Sequence, residues 1–161
     1  MTTIDKAKVQ RIFERAMNKA DLSAIGEQFA ADPVDHQEPP GTDTIRHLKE
    51  VIIGLHTAFP DLNFEVHNIL TQGNTVAFRC TMTGTHRGPL NLGPMHNVAP
   101  TGKRISVPHM YFLEVGDDGK ATDLWHLWDI PMLMRQLGVT PEPRRRPAQR
   151  NGRAVGRVND R

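Results

Sequence analysis

The hydrophobic spacing of this 161-residue chain changes once, at Pro60-Asp61, and that change limits the fold more than any other feature of the sequence. Before it, Val9, Ile12, Phe13, Ala16 and Met17 recur every three or four residues, as do Ile45, Leu48, Val51, Ile52, Leu55 and Phe59. Such stripes are the apolar faces of amphipathic helices. After it, Leu62 to Leu70, Thr75 to Thr85, Lys103 to Val115 and Ala121 to Asp129 follow the period of two that sends strand side chains to opposite faces. Helices followed by strands describe an α+β fold, with the helices covering one face of a strongly bent antiparallel sheet.

Turn residues punctuate this pattern. A first helix runs from Ile4 to Ala20; a short second one runs from Asp21 to Phe29, with Asp21 or Ser23 near its cap, and leads into a connection through Asp32-Pro33. Pro39-Pro40-Gly41 forces a loop before the helix from Thr44 to Phe59. Gly73-Asn74 and Gly116-Asp117-Asp118-Gly119 read as hairpin turns. Between Arg87 and Gly102, six glycines and prolines predict a long loop of the kind that rims a pocket. Ile130 to Leu137 reads as a closing helix with Gly138 at its C-terminal cap.

The length suits one domain over residues 1–140, which at this size buries roughly two-thirds of its unfolded surface. Residues 141–161 form a separate tail. They hold seven arginines against Glu142 and Asp160, a balance of +5, so the net +2 of the chain leaves −3 for the domain. The tail lacks an apolar period and is expected to be disordered. Without interleaved aromatics it argues against a nucleic-acid partner. The absence of a long apolar run and of a charged-then-apolar leader predicts a cytoplasmic protein with no membrane partner. A single cysteine, Cys80, excludes an internal disulfide framework and a cysteine metal cluster, and its apolar neighbours make it a structural thiol.

Chemistry concentrates in the last strand, where Asp123, His126 and Asp129 are interleaved with Trp125 and Trp128. Alternation puts Asp123, Trp125, Leu127 and Asp129 on one face and Leu124, His126 and Trp128 on the other, so whichever face is covered takes an ionisable group inside. His126 is thereby separated from both acids, and no metal is expected. Asp129, directly before Ile130-Pro131, suits a helix N-cap. No glycine-rich phosphate loop lies between a strand and a helix, so no cofactor is expected.

Several motifs in order resemble the SnoaL-like polyketide cyclases, ester cyclases of the nuclear transport factor two-like superfamily. They are His36 with Pro39-Pro40-Gly41, Phe59-Pro60-Asp61-Leu62, Thr83-Gly84-Thr85-His86-Arg87-Gly88, Pro100-Thr101-Gly102-Lys103, and the ending from Trp125 to Gly138, together spanning about residues 8–139. The resemblance implies a cone-shaped curved antiparallel sheet packed with N-terminal helices. It also implies metal-free acid/base chemistry inside the cone, in which a carbon next to a carbonyl is deprotonated and the enolate steadied. Where the cyclases carry their catalytic acid on the last strand, this chain has His126, and the histidine expected on the preceding strand falls at Met110 or His109.

These readings give a set of expectations. The function is a cofactor-independent, aldol-type ring closure on a hydrophobic oxygenated substrate of secondary metabolism. Alternatives are an epoxide-opening or hydroxylase-like reaction, which needs Arg79 and an aspartate on one inward face, and noncatalytic binding of a small molecule. His126, Asp123 and His109 are the catalytic candidates. His36, Arg79, Met110, Tyr111, Trp125 and Trp128 are the substrate-binding candidates. His109 and Tyr111 share one strand face and Met110 and Phe112 the other; both are apolar enough that one lines a cavity and the other an interface, which predicts a homo-oligomer, dimer or tetramer.

Overall fold

The computed structural model describes residues 4–93 and 95–139, so the arginine-rich tail lies outside the described residues. Helix α1 (Lys6–Lys19) is followed by α2 (Ser23–Gln28), strand β1 (Phe29–Asp35) and helix α3 (Thr44–Ala58). Strands β2 (Asn63–Gln72) and β3 (Thr75–Thr85) come next, then the short pair β4 (Leu90–Leu92) and β5 (Met95–Val98). Strands β6 (Arg104–Val115) and β7 (Ala121–Trp128) lead to the closing helix α4 (Ile130–Leu137).

The helices begin and end where local chemistry supplies hydrogen bonds. Asp5 accepts from the Lys8 N–H at 3.0 Å and Asp43 from the Arg46 N–H at 3.0 Å, each satisfying a donor at a helix start. Asp129 accepts from the Met132 N–H at 2.8 Å with Pro131 in the first turn, as expected for a cap. Gly138 closes α4 at φ 74°, the left-handed region that favours glycine.

The five-stranded sheet has the order β1-β7-β6-β3-β2. Strands β2, β3, β6 and β7 pair antiparallel, and β1 lies parallel to β7 at the edge. Alternation along β6 is complete: Ile105, Val107, His109, Tyr111, Leu113 and Val115 are buried, while Met110 and Phe112 are exposed. The core sits between the concave face and α1 to α3. Fully buried Phe59 and Phe64 each contribute about 2–3 kcal/mol relative to an exposed ring.

The Phe59-Pro60-Asp61 and Gly84 to Gly88 motifs act on one another. Asp61 accepts from the Thr85 N–H at 2.6 Å and from its hydroxyl at 2.8 Å, tying the end of α3 to the end of β3. A Cβ on Gly84 would press on Phe59 at 2.9 Å, and one on Gly88 would collide with the Thr57 carbonyl oxygen. Both glycines are required by the closeness of the helix.

Two segments depart from the sequence reading. Phe29 to Asp35, expected as the end of a helix and a connection, is strand β1. Its Ala30-Ala31-Asp32-Pro33 core lacks apolar alternation, and Pro33 is tolerated because β1 is an edge strand. The expected loop from Arg87 to Gly102 contains the β4–β5 pair, too short for a period to register. Among the described residues no helix is long and apolar enough to cross a membrane.

Candidate active site

A cavity of about 340 Å³ opens between the concave face of the sheet and helices α1, α2 and α3. Its walls are mostly apolar, with Val9, Ile12, Phe13 and Ala16 from α1, Ile52 from α3, and Phe78, Leu113 and Leu124 from the sheet. Into this lining project Gln28, Asp35, Gln37, Glu38, His47, Tyr111 and His126. A few polar groups in an apolar hollow are the usual composition of a small-molecule site.

Asp35 ends β1, and a shift in register between Phe29 and Val34 sets which way it faces. Its side chain is fully buried. Oδ1 accepts from the Gln37 N–H at 3.0 Å, and Oδ2 lies 3.1 Å from Nε2 of His126 on the neighbouring strand β7. Burial pushes the Asp35 carboxyl upward, but the bonds from His126 and the Gln37 N–H outweigh it and hold the group below the usual carboxylate range. Asp35 is therefore ionised at neutral pH. An ionised carboxylate accepts, so the imidazole donates Nε2–H; in the neutral ring the lone pair then falls on Nδ1. Nδ1 has no partner among the described residues.

His126 is held on two further sides. Its backbone N–H donates to Gln37 Oε1 at 2.9 Å, and its ring faces that of Tyr111 at 5.9 Å. The loop after β1 thus grips the end of β7. At the cavity rim, His47 Nε2 stands 3.2 Å from Glu38 Oε1, a second imidazole–carboxylate pair in a wetter position.

Beyond Tyr111 the polar line continues into the core. His109 is fully buried, with Nδ1 at 3.3 Å from the Tyr111 hydroxyl and its ring 4.2 Å from that of Trp128. Burial, with the charge of His126 adding to it, pushes the His109 imidazole down to about 3. His109 is neutral at working pH and orders Tyr111 and Trp128. Burial also raises the Tyr111 phenol well above its ordinary value, so it stays protonated and able to donate. Cys80 is pushed up to about 12 by burial, consistent with a structural thiol.

The residues singled out in the sequence therefore divide. His126, Tyr111 and Trp128 line the cavity, with His109 behind them. Asp123, His36, Trp125, Met110 and Arg79 lie on the outer face of the sheet, opposite the cavity. There His36 Nε2 bonds Asp123 Oδ1 at 2.9 Å, and the His36 ring stacks on Trp125 at 4.2 Å and an interplanar angle of 4°. Arg79 donates to Asn68 at 2.7 Å. The condition for an epoxide-opening site, Arg79 and an aspartate facing inward together, is thus not met: the inward aspartate is Asp35, and odd spacing along β3 turns Arg79 out between buried Phe78 and Cys80.

Asp35, Gln28, Gln37, Glu38 and His47 escaped the sequence reading. The one available signal was the neighbouring His36-Gln37-Glu38 before Pro39-Pro40-Gly41, which marked a loop near the mouth but not the inward carboxylate before it. Among the described residues no three histidine, cysteine, aspartate or glutamate side chains converge as metal ligands.

The fold recurs in solved structures. TsrD from Streptomyces laurentii superimposes with a TM-score of 0.73 at 23% identity, over 86% of this chain and all of that one. AclR from Streptomyces galilaeus, a candidate hydroxylase, gives 0.69 at 29% identity over 87% of this chain and 84% of its own. IdmH from Streptomyces antibioticus, a candidate polyketide cyclase, gives 0.66 at 29% identity over 83% of this chain and 98% of its own. No curated protein sequence matches. Residues 7–137 match the family profile described as SnoaL-like polyketide cyclase. With that match spanning most of its length, and with a helix-covered curved sheet enclosing the cavity, the chain belongs to the SnoaL-like polyketide cyclase family.

Proposed function

We propose that the cavity is an acid/base site that moves a proton at a carbon next to a carbonyl, leading to aldol-type ring closure on a flat, hydrophobic, oxygenated substrate of secondary metabolism. The observation that carries this reading is the Asp35–His126 pair, an ionised carboxylate orienting an imidazole inside an apolar hollow. In such a pair the carboxylate fixes the tautomer and steadies the imidazolium that forms when the ring takes a proton. The His126 imidazole takes the proton, the Tyr111 hydroxyl donates toward the developing enolate oxygen, and His126 returns the proton after the ring closes. Acid/base chemistry of this kind calls for no cofactor. Relative to the cyclases that the sequence resembles, the acid has left the last strand for β1, and His126 stands in its place on β7.

The test uses 2-acetonaphthone as a flat ketone of suitable size. The intact protein is expected to catalyse exchange of the acetyl protons with deuterated water, followed by NMR. His126→Ala and Asp35→Asn should each slow the catalysed exchange by roughly a hundredfold, the low end for a general base. Exchange no faster than in buffer, or unchanged in both variants, would sink the reading.

We further propose that the outer face of the sheet meets a second copy of the chain. Met110 pairs in register with Leu127 and Phe112 with Trp125, so four large apolar side chains form one exposed patch. Contiguous apolar surface of this kind marks an interface more often than bare surface.

A further inference from the structure

We propose that His36, on the outer face of the sheet, is a positioning residue for the Asp35–His126 pair and acts by clamping the turn after β1 onto Asp123 and Trp125 of β7. Two adjoining segments alternate across the sheet here. Asp35, Gln37, Leu124 and His126 line the cavity, while His36, Asp123 and Trp125 meet one another on the far side. Each outer residue is the chain neighbour of an inner one: His36 follows Asp35, and Trp125 precedes His126. Fixing His36 against Trp125 therefore fixes Asp35 against His126.

The clamp sits where backbone pairing runs out. Asp35 and Leu124 are the last partners in the β1–β7 register, and the His36 N–H still donates to the Leu124 carbonyl at 2.9 Å. The chain then turns, with the Glu38 N–H donating to the Asp35 carbonyl at 3.2 Å. From that point side chains hold the turn to β7. Inside, Gln37 Oε1 accepts from the His126 N–H. Outside, His36 Nε2 lies 2.9 Å from Asp123 Oδ1, and its ring lies flat on Trp125 with centroids 4.2 Å apart. The Thr122 hydroxyl donates to Asp123 Oδ2 at 2.9 Å, which sets the rotation of the carboxylate. His36 and Asp123 are both partly exposed, and such a pair adds little to stability. Its effect falls on geometry instead, because a small misplacement of reacting groups is costly in rate even when its source lies outside the site.

The inference rests on the acid/base reading for its effect on rate, but the placement of His126 is measurable without catalysis. The experiment substitutes His36 alone in the intact protein, leaving Trp125 and the apolar patch in place. His36→Gln keeps a donor for Asp123, His36→Phe keeps only a ring on Trp125, and His36→Ala keeps neither. With 2-acetonaphthone as the probe, the maximal rate of proton exchange should fall about tenfold in His36→Ala and His36→Phe at an unchanged half-saturating concentration, and recover to within about threefold of native in His36→Gln. Melting temperatures should stay within a few degrees of native in all three. Asp123→Ala should match His36→Ala, and the double variant should be no slower than either, since the two residues act as a unit. The second readout is the His126 tautomer from 15N NMR, expected to be Nε2–H alone in the native protein and in His36→Gln, and mixed in His36→Ala. Native exchange and an unmixed tautomer in His36→Ala overturn the proposal, as does a His36→Gln variant no faster than His36→Ala. If the native protein catalyses no exchange, the acid/base reading falls, and the tautomer decides this inference: mixed in His36→Ala supports the clamp, unchanged overturns it.

Discussion

Nε2 of His126 lies 3.1 Å from Oδ2 of Asp35, a contact between residues 91 positions apart that joins the edge strand β1 to β7 at the cavity wall. The carboxylate is sealed from solvent, so its imidazole partner is also its main compensation for burial. His126→Phe keeps a flat ring but strands that charge. It is expected to lower unfolding free energy at pH 7 by about 3 kcal/mol, the low end for breaking a buried pair, measured by urea denaturation. Asp35→Asn should cost less, because it removes the charge along with the bond.

The same pair sets a pH dependence. Because the Asp35 carboxyl titrates below its unfolded value, its contribution is complete above about pH 4, the ordinary carboxylate value, and fades as pH falls through the lower folded value. The acid limb of the native stability curve should therefore be steeper than that of Asp35→Asn. Curves of equal slope would count against the ionised carboxylate.

His109 has the opposite protonation demand but the same direction of effect. Its folded value, near 3, lies far below the ordinary histidine value of about 6.5, so between the two the unfolded chain binds a proton that the folded chain does not. Stability should fall on acidification across that window by up to about 1.4 kcal/mol per pH unit. In His109→Gln, whose side chain does not titrate, this part of the slope should vanish when denaturation is followed from pH 7 to pH 4.

Gly88 touches nothing catalytic, yet its substitution should be severe. A Cβ there meets the Thr57 backbone oxygen, and the Gly88 N–H also donates to the Ala58 carbonyl at 3.1 Å, so neither side can yield freely. Gly88→Ala is expected to cost about 1–3 kcal/mol, as overpacking does, seen as a lowered melting temperature. Gly93→Ala offers a control with open space around the new methyl, although its φ of 53° adds a smaller backbone penalty.

The outer-face patch predicts an oligomer sensitive to charge. Leu127→Lys and Met110→Lys, both at exposed positions, should leave the monomer fold intact by circular dichroism and shift sedimentation toward the monomer. A native protein that sediments as a monomer at micromolar concentration would remove the second copy.

Much of this architecture was legible in the residues. Periodicity located α1, α3, the four long strands and α4, because each buries one face and must repeat at its own spacing. Asp129 was readable as a cap because Pro131 follows it in the first turn. Strand β1 was not, because a proline-containing edge strand with two consecutive alanines carries no alternation. Asp35 was lost with it. On β7, alternation separated Asp123 from His126 but could not say which of them faced inward.

The sequence by itself determined α1, α3, the four long strands and α4, their order, and the fact that some ionisable group on β7 must be covered. Those follow from spacing, glycine and capping, which act over a few residues. Only the tertiary structure decided which group that is and what partners it. Helices α1 to α3 cover the face bearing Leu124, His126 and Trp128, and the register shift in β1 turns Asp35 toward it. That outcome depends on packing between segments distant in sequence, where the burial of an entire sheet face outweighs the preference of any one side chain.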